Sequence, residues 1–457
     1  MRGLLSNYTR QRNPSLDELS HIPGSDGPWV VGHTFRFIAS PLEFARRQLA
    51  DYGTVSRTRF LFERTLNLVS ADANEFVLLD RAGNFSAFLG WEPTLGQLFP
   101  RGLMLRDGDD HRYQRRLMQP AFRKEALAGY LERMNPRIAS AVREWLAQVQ
   151  LKFYPAVKRL TLEIACDVFL DVELPDEIDR VGEAFFDLVE ASNAINRIPR
   201  IGRKYERGLA GRRYLARLIQ DRIASRREGE GTDLLSQLCR AQDENGQRYS
   251  DAEIVDHLIF LMMAAHDTTT SALTTIAYAL AKHEDWQARL RTLSQGFAQR
   301  QLRHEDLGAL EEIDWVLREA LRLYPPLTVI LRRTVRECEF GGVRIPADVA
   351  VMVYPVATQR MAEYWTDPDR FDPERFSPAR SEQRRHAFAW TPFGGGAHMC
   401  LGLHFAEMQV KAVLVQLLCT ARLSVPATYR APFQLAPLVR PSDGLPLRLT
   451  ANIASAR

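Results

Sequence analysis

The start of the sequence lacks the apolar stretch that a membrane span or a signal peptide requires, because polar and charged residues interrupt residues 1–16. A bilayer span needs about 20 consecutive apolar residues, and a signal peptide needs a shorter apolar segment. We therefore expect no transmembrane anchor and a cytoplasmic protein. Repeats, low-complexity tracts and Gly/Ser linkers are also absent, which argues against a string of small domains.

Cysteine is scarce, and its distribution argues against two further classes of protein. The five cysteines are an odd number, and no two of them have C-x-x-C spacing. Neither a disulfide framework nor a zinc site is expected from that pattern. The charge is nearly balanced, with 60 Lys+Arg against 56 Asp+Glu and a formal net charge of +4. A nucleic-acid partner is therefore not expected.

What remains is ordinary globular composition, with 46% hydrophobic and 25% charged residues over 457 positions. Alternating β-branched and apolar residues predict strands at 55–60, 65–69, 340–345 and 349–353, and helical periodicity dominates between them. The expected fold is mainly α with small β-sheets (α+β), in one domain over 1–457. Its β-rich part covers about 20–75 and 325–400, its helical part covers about 76–324 and 401–420, and a proline-rich tail follows.

The longest predicted helix carries polar groups at its centre. Ser250 and Glu253 have capping-box spacing, and no Gly or Pro occurs from there to about residue 282. Asp267 and Thr268 interrupt its apolar middle, which argues against a membrane span and suggests a polar notch with a proton route. The structural alternative is a hydroxyl bonded to the carbonyl four residues earlier and a carboxylate in a salt bridge.

Two shorter patterns follow. Glu319 and Arg322 lie three residues apart on one helical face, a common and weak pattern by itself, and Arg375 supplies a second arginine. The segment FGGGAHMCLG, residues 393–402, is more specific, because successive glycines allow close backbone approach to a large flat group. Its Cys400 is predicted to open a helix whose N-terminal dipole favours the thiolate, a good iron ligand. The alternative is a buried structural cysteine.

Together these segments resemble the cytochrome P450 superfamily over nearly the whole chain. The resemblance implies the fold of that family, with a long central I-helix over a haem b and Cys400 as axial thiolate. It implies a buried Glu-Arg-Arg triad of Glu319, Arg322 and Arg375, and an acid–alcohol pair of Asp267 and Thr268 that delivers protons to iron-bound O2. The implied haem contacts are His111, Arg115, Arg332, His398, Phe393, Gly396, Gly402, Ala264 and Ala265.

Several positions depart from the usual family pattern. His398 stands where arginine is common, Ala265 where glycine is common, and Gln359 where histidine is common. The segment YPPLTVILR, residues 324–332, is partly similar to the sterol 14α-demethylases. For His111 and Arg115 the alternative is a solvated basic helix face.

The resemblance implies a monooxygenase that inserts one oxygen atom of O2 into a substrate. Apolar residues around the expected pocket suggest a lipophilic substrate such as a sterol or steroid, a terpenoid or a fatty acid. The expected pocket residues are Phe88, Trp91, Phe99, Leu261, Leu327, Val329 and Ile330. The alternatives are a peroxide-driven haem-thiolate peroxygenase and a non-catalytic haem-binding sensor.

Too few residues follow Cys400 for a fused reductase, so we expect electrons from a separate protein. A ferredoxin or flavodoxin, with its own reductase, is the natural partner. Such proteins are acidic, and their expected docking face is basic. Its predicted residues are Arg112, Arg116, Arg123 and Lys124.

Overall fold

The computed structural model describes residues 13–61, 63–172, 175–192 and 203–452. Most of these residues are helical. The α-helices are α1 (Thr34–Ala39), α2 (Pro41–Tyr52), α3 (Ala71–Leu79), α4 (Ala87–Leu95), α5 (Gly108–Met118), α6 (Lys124–Leu146), α7 (Phe153–Leu170), α8 (Pro175–Ser192), α9 (Arg203–Glu228), α10 (Leu234–Arg240), α11 (Asp251–Lys282), α12 (Glu284–Gln295), α13 (Glu311–Leu323), α14 (Pro355–Thr358) and α15 (Leu403–Thr420).

The strands are short and form small sheets. They are β1 (Gly24–Ser25), β2 (Val55–Phe60), β3 (Glu63–Leu68), β4 (Phe85–Ser86), β5 (Leu151–Lys152), β6 (Ile330–Thr334), β7 (Cys338–Phe340), β8 (Val343–Ile345), β9 (Ala350–Val353), β10 (Ala421–Ser424), β11 (Phe433–Gln434), β12 (Arg440–Pro441) and β13 (Pro446–Ala451). Their order is β1-β2-β3-β9-β6-β4 in the largest sheet and β10-β13-β5 in the next, and β11-β12 and β7-β8 are two-stranded. The predicted mainly helical fold with small sheets is confirmed.

The predicted strands are present, with one subdivision. Strand β2 has the predicted bounds and pairs antiparallel with β3, Val55 opposite Leu68. The run predicted at 340–345 is instead a tight hairpin of β7 and β8. Gly341 and Gly342 both have positive φ at its turn, a conformation that glycine adopts without steric cost.

The regions at the two ends of the chain contain both helices and strands. The N-terminal region is not simply β-rich, since α1 and α2 precede β2 and α3 follows β3. The tail after α15 is not merely proline-rich loop, because β10 and β13 pair within it and β13 also pairs with β5. This partner lies about 300 residues earlier, inside the stretch predicted to be helical, so local periodicity could not reveal it.

The central helix α11 has the predicted bounds and the predicted capping box. The Ser250 hydroxyl accepts from the Glu253 amide at 3.3 Å, and the Ser250 amide donates to the Glu253 carboxylate at 3.0 Å. Most of the side chains of α11 are buried, and it packs against α7, α9, α13 and α15. No helix of the described residues has the length and apolarity that crossing a bilayer requires.

Candidate active site

A cavity of about 260 Å³ lies beside the middle of α11 and beside the first turns of α15. Its exposed wall is mostly apolar, as expected for a pocket that takes an apolar ligand. Of the residues predicted for the site, its lining contains Trp91, His111, Arg115, Leu261, Ala264, Ala265, Thr268, Leu327, Ile330, Arg332, Phe393, His398, Cys400 and Gly402. Segments far apart in sequence therefore meet at one place.

Other predicted residues lie away from the cavity lining. Phe99 is buried in the core, where its ring meets Phe260 at a centroid distance of 6.2 Å. Val329 packs in a separate apolar cluster near Phe60. Phe88 packs against the main core without lining the cavity. The aromatic wall is supplied instead by residues that the sequence analysis did not single out, among them Phe122, Phe169, Phe260 and Phe405.

Two glycines of the glycine-rich loop are required because the residues packed against them leave no space for a side chain. A Cβ at Gly396 would lie 2.1 Å from the Leu78 carbonyl oxygen of α3, and Gly396 has φ of 62°. A Cβ at Gly395 would lie 2.7 Å from the Phe388 ring. Side chains there would force the loop away from α3. The glycines therefore set the loop's position, and Gly396 does not line the cavity.

The loop turns Cys400 towards the cavity just before α15. The Cys400 amide donates to the Phe393 carbonyl oxygen at 2.9 Å, which closes the loop. Helix α15 begins only at Leu403, so Cys400 precedes the helix and does not open it. The Cys400 side chain is accessible through the cavity and enclosed by protein elsewhere.

The electrostatics of Cys400 differ from the prediction. Burial raises the pKa of the Cys400 thiol, and this effect outweighs the lowering by the Gly402 amide and by Arg115. The Gly402 amide, just before α15, thus favours the thiolate as predicted, but burial has the larger effect on the pKa of the Cys400 thiol. A coordinating metal deprotonates a thiol outright, so the site requires no low pKa of the free thiol.

Two arginines at the cavity lack a negative partner. Arg332 is buried, and its guanidinium donates to the Leu331 carbonyl oxygen at 2.8 Å. Burial lowers the pKa of Arg332 to about 10. Within the described part of the chain no carboxylate lies within 4.0 Å of Arg332 or of Arg115. A buried cation without a counter-charge costs several kcal/mol, roughly, so an anionic ligand would be strongly favoured here.

Two histidines complete this polar edge. The rings of His111 and His398 stack at a centroid distance of 3.9 Å. Burial, with the nearby charges, lowers the pKa of His111 to about 3, and burial also lowers the pKa of His398. His398 Nε2 lies 3.7 Å from an Asp107 carboxylate oxygen. Neutral imidazoles and unpaired guanidiniums supply hydrogen-bond donors suited to carboxylates. The donor set thus fits the two carboxylates of a haem.

The polar groups at the centre of α11 make both contacts that the structural alternative predicts, a hydroxyl bond to the carbonyl four residues earlier and a salt bridge. The Thr268 hydroxyl donates to the Ala264 carbonyl oxygen. The Asp267 carboxylate lies away from the cavity lining, 3.2 Å from Lys158 Nζ and 3.3 Å from His266 Nδ1. The Lys158 side chain, on α7, is about a quarter exposed. Asp267 thus contacts a cation that reaches solvent, and it is the neighbour in sequence of Thr268, which lines the cavity.

Glu319, Arg322 and Arg375 form a fully buried cluster outside the cavity. Both oxygens of Glu319 accept from Arg322, at 2.6 and 2.9 Å, and one also accepts from Arg375 at 3.1 Å. The arginines additionally donate to backbone carbonyls of the segment 366–370. The cluster therefore ties α13 to the loop that precedes the Cys400 segment.

Gln359 continues this connection, and the sequence analysis found no role for it. Its side-chain amide donates to the Leu321 and Arg322 carbonyl oxygens at 3.0 Å each. Its side-chain oxygen accepts from the Thr391 amide at 2.9 Å. Gln359 thus joins the end of α13 to the start of the Cys400 loop. No sequence signal marks such a contact, because its partners lie more than 30 residues away on either side.

The fold and this site define a class of protein: a helical protein that presents one cysteine, a cationic edge and an apolar wall to a single cavity is built for a thiolate-ligated haem. The family model described as Cytochrome P450 matches residues 22–446. The chain therefore belongs to the cytochrome P450 family.

Individual relatives are similar to this chain over nearly its full length. The putative cytochrome P450 136 of Mycobacterium tuberculosis is 41% identical over 445 residues, covering 95% of this chain and 90% of that protein. The pentalenene oxygenase of Streptomyces avermitilis is 30% identical, with 93% and 96% covered. A solved structure of retinoic acid bound cyanobacterial CYP120A1 superposes with a TM-score of 0.86 at 27% identity, covering 94% of this chain and 99% of that one.

Membership of the family establishes the coarse chemistry. The protein is a monooxygenase with a haem iron, a cysteine thiolate ligand and O2 as co-substrate. Its substrate is lipophilic, and a redox partner supplies its electrons.

Proposed function

We propose that the Cys400 sulfur would bind the iron of haem b, and that the enzyme oxygenates a sterol or steroid, a terpenoid or a fatty acid. The observation that carries this proposal is the placement of Cys400 in an apolar cavity beside Arg115 and Arg332, neither of which has a carboxylate within 4.0 Å among the described residues. His111 and His398 would share the haem carboxylates with these arginines. Phe393, Gly402, Ala264 and Ala265 are available to contact the macrocycle. When bound, the haem iron supplies the activation of O2.

If Arg332 binds a haem carboxylate, replacing it should weaken haem retention without lowering the stability of the haem-free protein. In Arg332→Leu we expect haem transfer to a competing haem acceptor to become about ten- to a hundredfold faster, since a charge-assisted hydrogen bond is lost. The thermal stability of the haem-free protein should not fall, because the change removes a buried cation without a partner. Arg336→Leu, on the exposed surface nearby, is the control. Unchanged haem transfer would contradict the assignment.

For proton delivery we propose a short path through α11. Lys158 brings the Asp267 carboxylate within one side chain of solvent, and His266 lies 3.3 Å from the same carboxylate oxygen as Lys158. Thr268 Oγ1 would give its own hydroxyl proton to the cavity and take a proton from an Asp267 oxygen in exchange, and Asp267 would regain its proton from solvent by way of Lys158. For that step the Thr268 hydroxyl turns from the Ala264 carbonyl towards the cavity that it lines.

Thr268→Ala tests this path. We expect product formed per reducing equivalent to fall by roughly ten- to a hundredfold, with hydrogen peroxide formed in its place, because a proton-transfer group is removed. Consumption of NAD(P)H, hydrogen peroxide and product are measured together. The matched control is Thr292→Ala, since the Thr292 hydroxyl also donates to the carbonyl four residues earlier but lies at an exposed position of α12. Unchanged coupling in Thr268→Ala would remove Thr268 from the path.

The Asp267–Thr268 pair also helps to distinguish an O2-dependent monooxygenase from a peroxide-driven peroxygenase. A peroxide-driven peroxygenase needs no proton delivery to O2, so the presence of the pair favours the O2-dependent reaction. Membership of a family with a named oxygenase among the relatives favours catalysis over the sensor alternative.

The substrate class follows from the wall of the cavity. Its side chains are predominantly aliphatic and aromatic, contributed by residues such as Leu103, Phe260, Leu261, Leu327 and Ile330. Binding in such a wall is driven by apolar area. A screen for ligand-induced shifts of the haem spin state should include sterols, fatty acids, pentalenene and retinoic acid. If none of these apolar compounds shifts the spin state, the proposed substrate classes are wrong.

For the electron donor we propose a small acidic ferredoxin or flavodoxin with its reductase. Arg112 and Arg116 lie on α5, whose Arg115 lines the cavity, and both are well exposed. Each has a surface carboxylate nearby, Asp109 and Glu244, and such exposed pairs are weak enough to exchange for a partner's carboxylates. Arg123 and Lys124 are both exposed at the start of α6, and we propose that they belong to the same docking face. The five unpaired cysteines suit a reducing compartment, and we propose the cytoplasm.

A further inference from the structure

A separate cavity of about 280 Å³ lies between α13 and the segment 376–384. Four of its lining residues lie on α13, at positions 311–318, and five lie on that segment. We call it the α13 cavity. It shares no lining residue with the cavity at Cys400. Its volume is close to the lower end of the usual range for small-molecule sites, about 300–1,000 Å³.

Two arginines of the α13 cavity have no negative partner among the residues that the structure describes. Arg318 is partly buried, and its guanidinium makes neither an ion pair nor a hydrogen bond with any of them. Its nearest described group of note is the Trp390 ring, whose centroid lies 5.8 Å from the guanidinium carbon. Arg384 is exposed at the edge of the cavity and likewise makes no ion pair with a described residue. Partly desolvated cations without a counter-charge favour an anionic ligand.

A third hydrogen-bond donor lies in the same wall. The indole N–H of Trp315 has no acceptor in the described part of the chain, and it is not enclosed by protein. The Trp315 side chain is held by Arg289, whose guanidinium carbon lies 5.6 Å from the ring centroid. The α13 cavity therefore offers two guanidiniums and an indole N–H to an acceptor on a ligand.

The carboxylates of the α13 cavity limit the charge of that ligand. Asp314 is paired with Lys411, whose Nζ lies 3.0 Å from the carboxylate. Glu311 is exposed and forms no ion pair with a described residue. Arg318 and Arg384 against Glu311 leave one net positive charge. A monoanion is therefore favoured, and a cation is disfavoured.

The apolar part of the wall is aromatic. Phe376 is buried, and its ring meets Trp390 at 5.9 Å and Trp365 at 5.6 Å between centroids. Pro378 and Trp315 also line the cavity. Aromatic rings pack favourably on one another in offset or edge-to-face arrangements. We therefore expect the ligand to carry an aromatic ring beside its negative charge.

The two walls of the α13 cavity are fixed to each other. The buried Glu382 accepts from Arg380 at 2.6 Å and from Arg375 at 3.1 Å. Arg375 also donates to Glu319 of α13 at 3.1 Å. Because these bonds hold both walls in place before a ligand binds, little ordering of the protein opposes binding.

We propose that the α13 cavity binds a small aromatic carboxylate. Arg318, Arg384 and the Trp315 N–H bind the carboxylate, and the aromatic ring lies against Phe376 and Pro378. The site is separate from the cavity at Cys400, so the proposal does not rest on the proposed function. Binding can be measured in the haem-loaded enzyme without turnover.

The test is a calorimetric titration of the haem-loaded enzyme with benzoate, and with benzamide as its neutral counterpart of similar shape. The enzyme is first saturated with 4-phenylimidazole, an azole that binds haem iron, so that the cavity at Cys400 is already filled. We expect benzoate to bind about tenfold tighter than benzamide or more, because its hydrogen bonds to arginine are charge-assisted. Added salt should weaken the binding of benzoate only.

Three variants locate the bound benzoate. Arg318→Gln should weaken benzoate binding by roughly tenfold or more, and Arg384→Gln should weaken it less because Arg384 is exposed. Glu311→Gln should tighten it, since a like charge is removed. The control is Arg143→Gln, at an exposed arginine of α6, which should bind benzoate like the parent.

Equal binding of benzoate and benzamide would overturn the proposal, as would unchanged benzoate binding in Arg318→Gln. An equal loss in Arg143→Gln would also overturn it, because the effect would then be one of overall charge. Weaker benzoate binding in Glu311→Gln would contradict the assignment of an anion site. The carbon monoxide difference spectrum, measured on the same samples without 4-phenylimidazole, reports on Cys400 separately and should be the same in all variants.

Discussion

Cys400→Ser is expected to abolish the thiolate-type carbon monoxide difference band and, with it, oxygenation of any substrate down to background. A serine hydroxyl is a hard and very weakly acidic donor, whereas iron in this site needs a soft anionic sulfur. The cavity lining would otherwise persist, because the Cys400 loop is closed by the backbone bond from the Cys400 amide to the Phe393 carbonyl. The variant should therefore fold and lose its chemistry.

The measurement is the difference spectrum of the reduced protein, taken with the haem content and the rate of product formation. Cys338→Ser makes the same change in β7, away from the cavity, and should leave all three values unchanged. A persistent thiolate-type band in Cys400→Ser would mean that another residue binds the iron.

Glu319→Gln is expected to destabilise the fold by about 3–5 kcal/mol, the usual cost of removing one partner from a buried ion pair. Glu319 is fully buried and accepts hydrogen bonds from both Arg322 and Arg375. Glutamine keeps the shape but leaves two guanidiniums in the interior without a carboxylate. The weakened link between α13 and the segment 366–375 should also loosen the Cys400 loop.

Denaturant unfolding of the haem-loaded protein measures this cost. Glu374→Gln is the matched control, because Glu374 pairs with Arg289 in the same region but is 40% exposed. Its expected cost is about 0–1 kcal/mol, as for exposed ion pairs. A loss below about 1 kcal/mol in Glu319→Gln would mean that the cluster does not hold the fold together.

Much of the fold could be predicted where neighbouring residues decide the structure. The bounds of α11 follow from a capping box at Ser250 and from the absence of Gly and Pro up to Lys282. Strand β2 follows from alternation over six residues. In each case the residues whose interactions decide the structure lie within a few positions of one another in the sequence.

The wall of the cavity could be predicted only in part. Trp91, Leu261, Leu327 and Ile330 line it as expected, whereas Phe99 faces the core. The choice between these orientations depends on which helix packs against each aromatic ring. Gly396 gives a second example, since its requirement for glycine comes from Leu78 on α3.

By itself the sequence determined the helices, the family resemblance and the residues that could carry the chemistry. Only the tertiary structure decided that burial raises the pKa of the Cys400 thiol, that Asp267 pairs with Lys158, and that Arg115 and Arg332 form no ion pair with any described residue. It alone showed that Trp29 and Phe35 are exposed. The physical reason is that helix formation is governed by near neighbours, whereas burial and charge compensation depend on groups that folding brings together from distant parts of the chain.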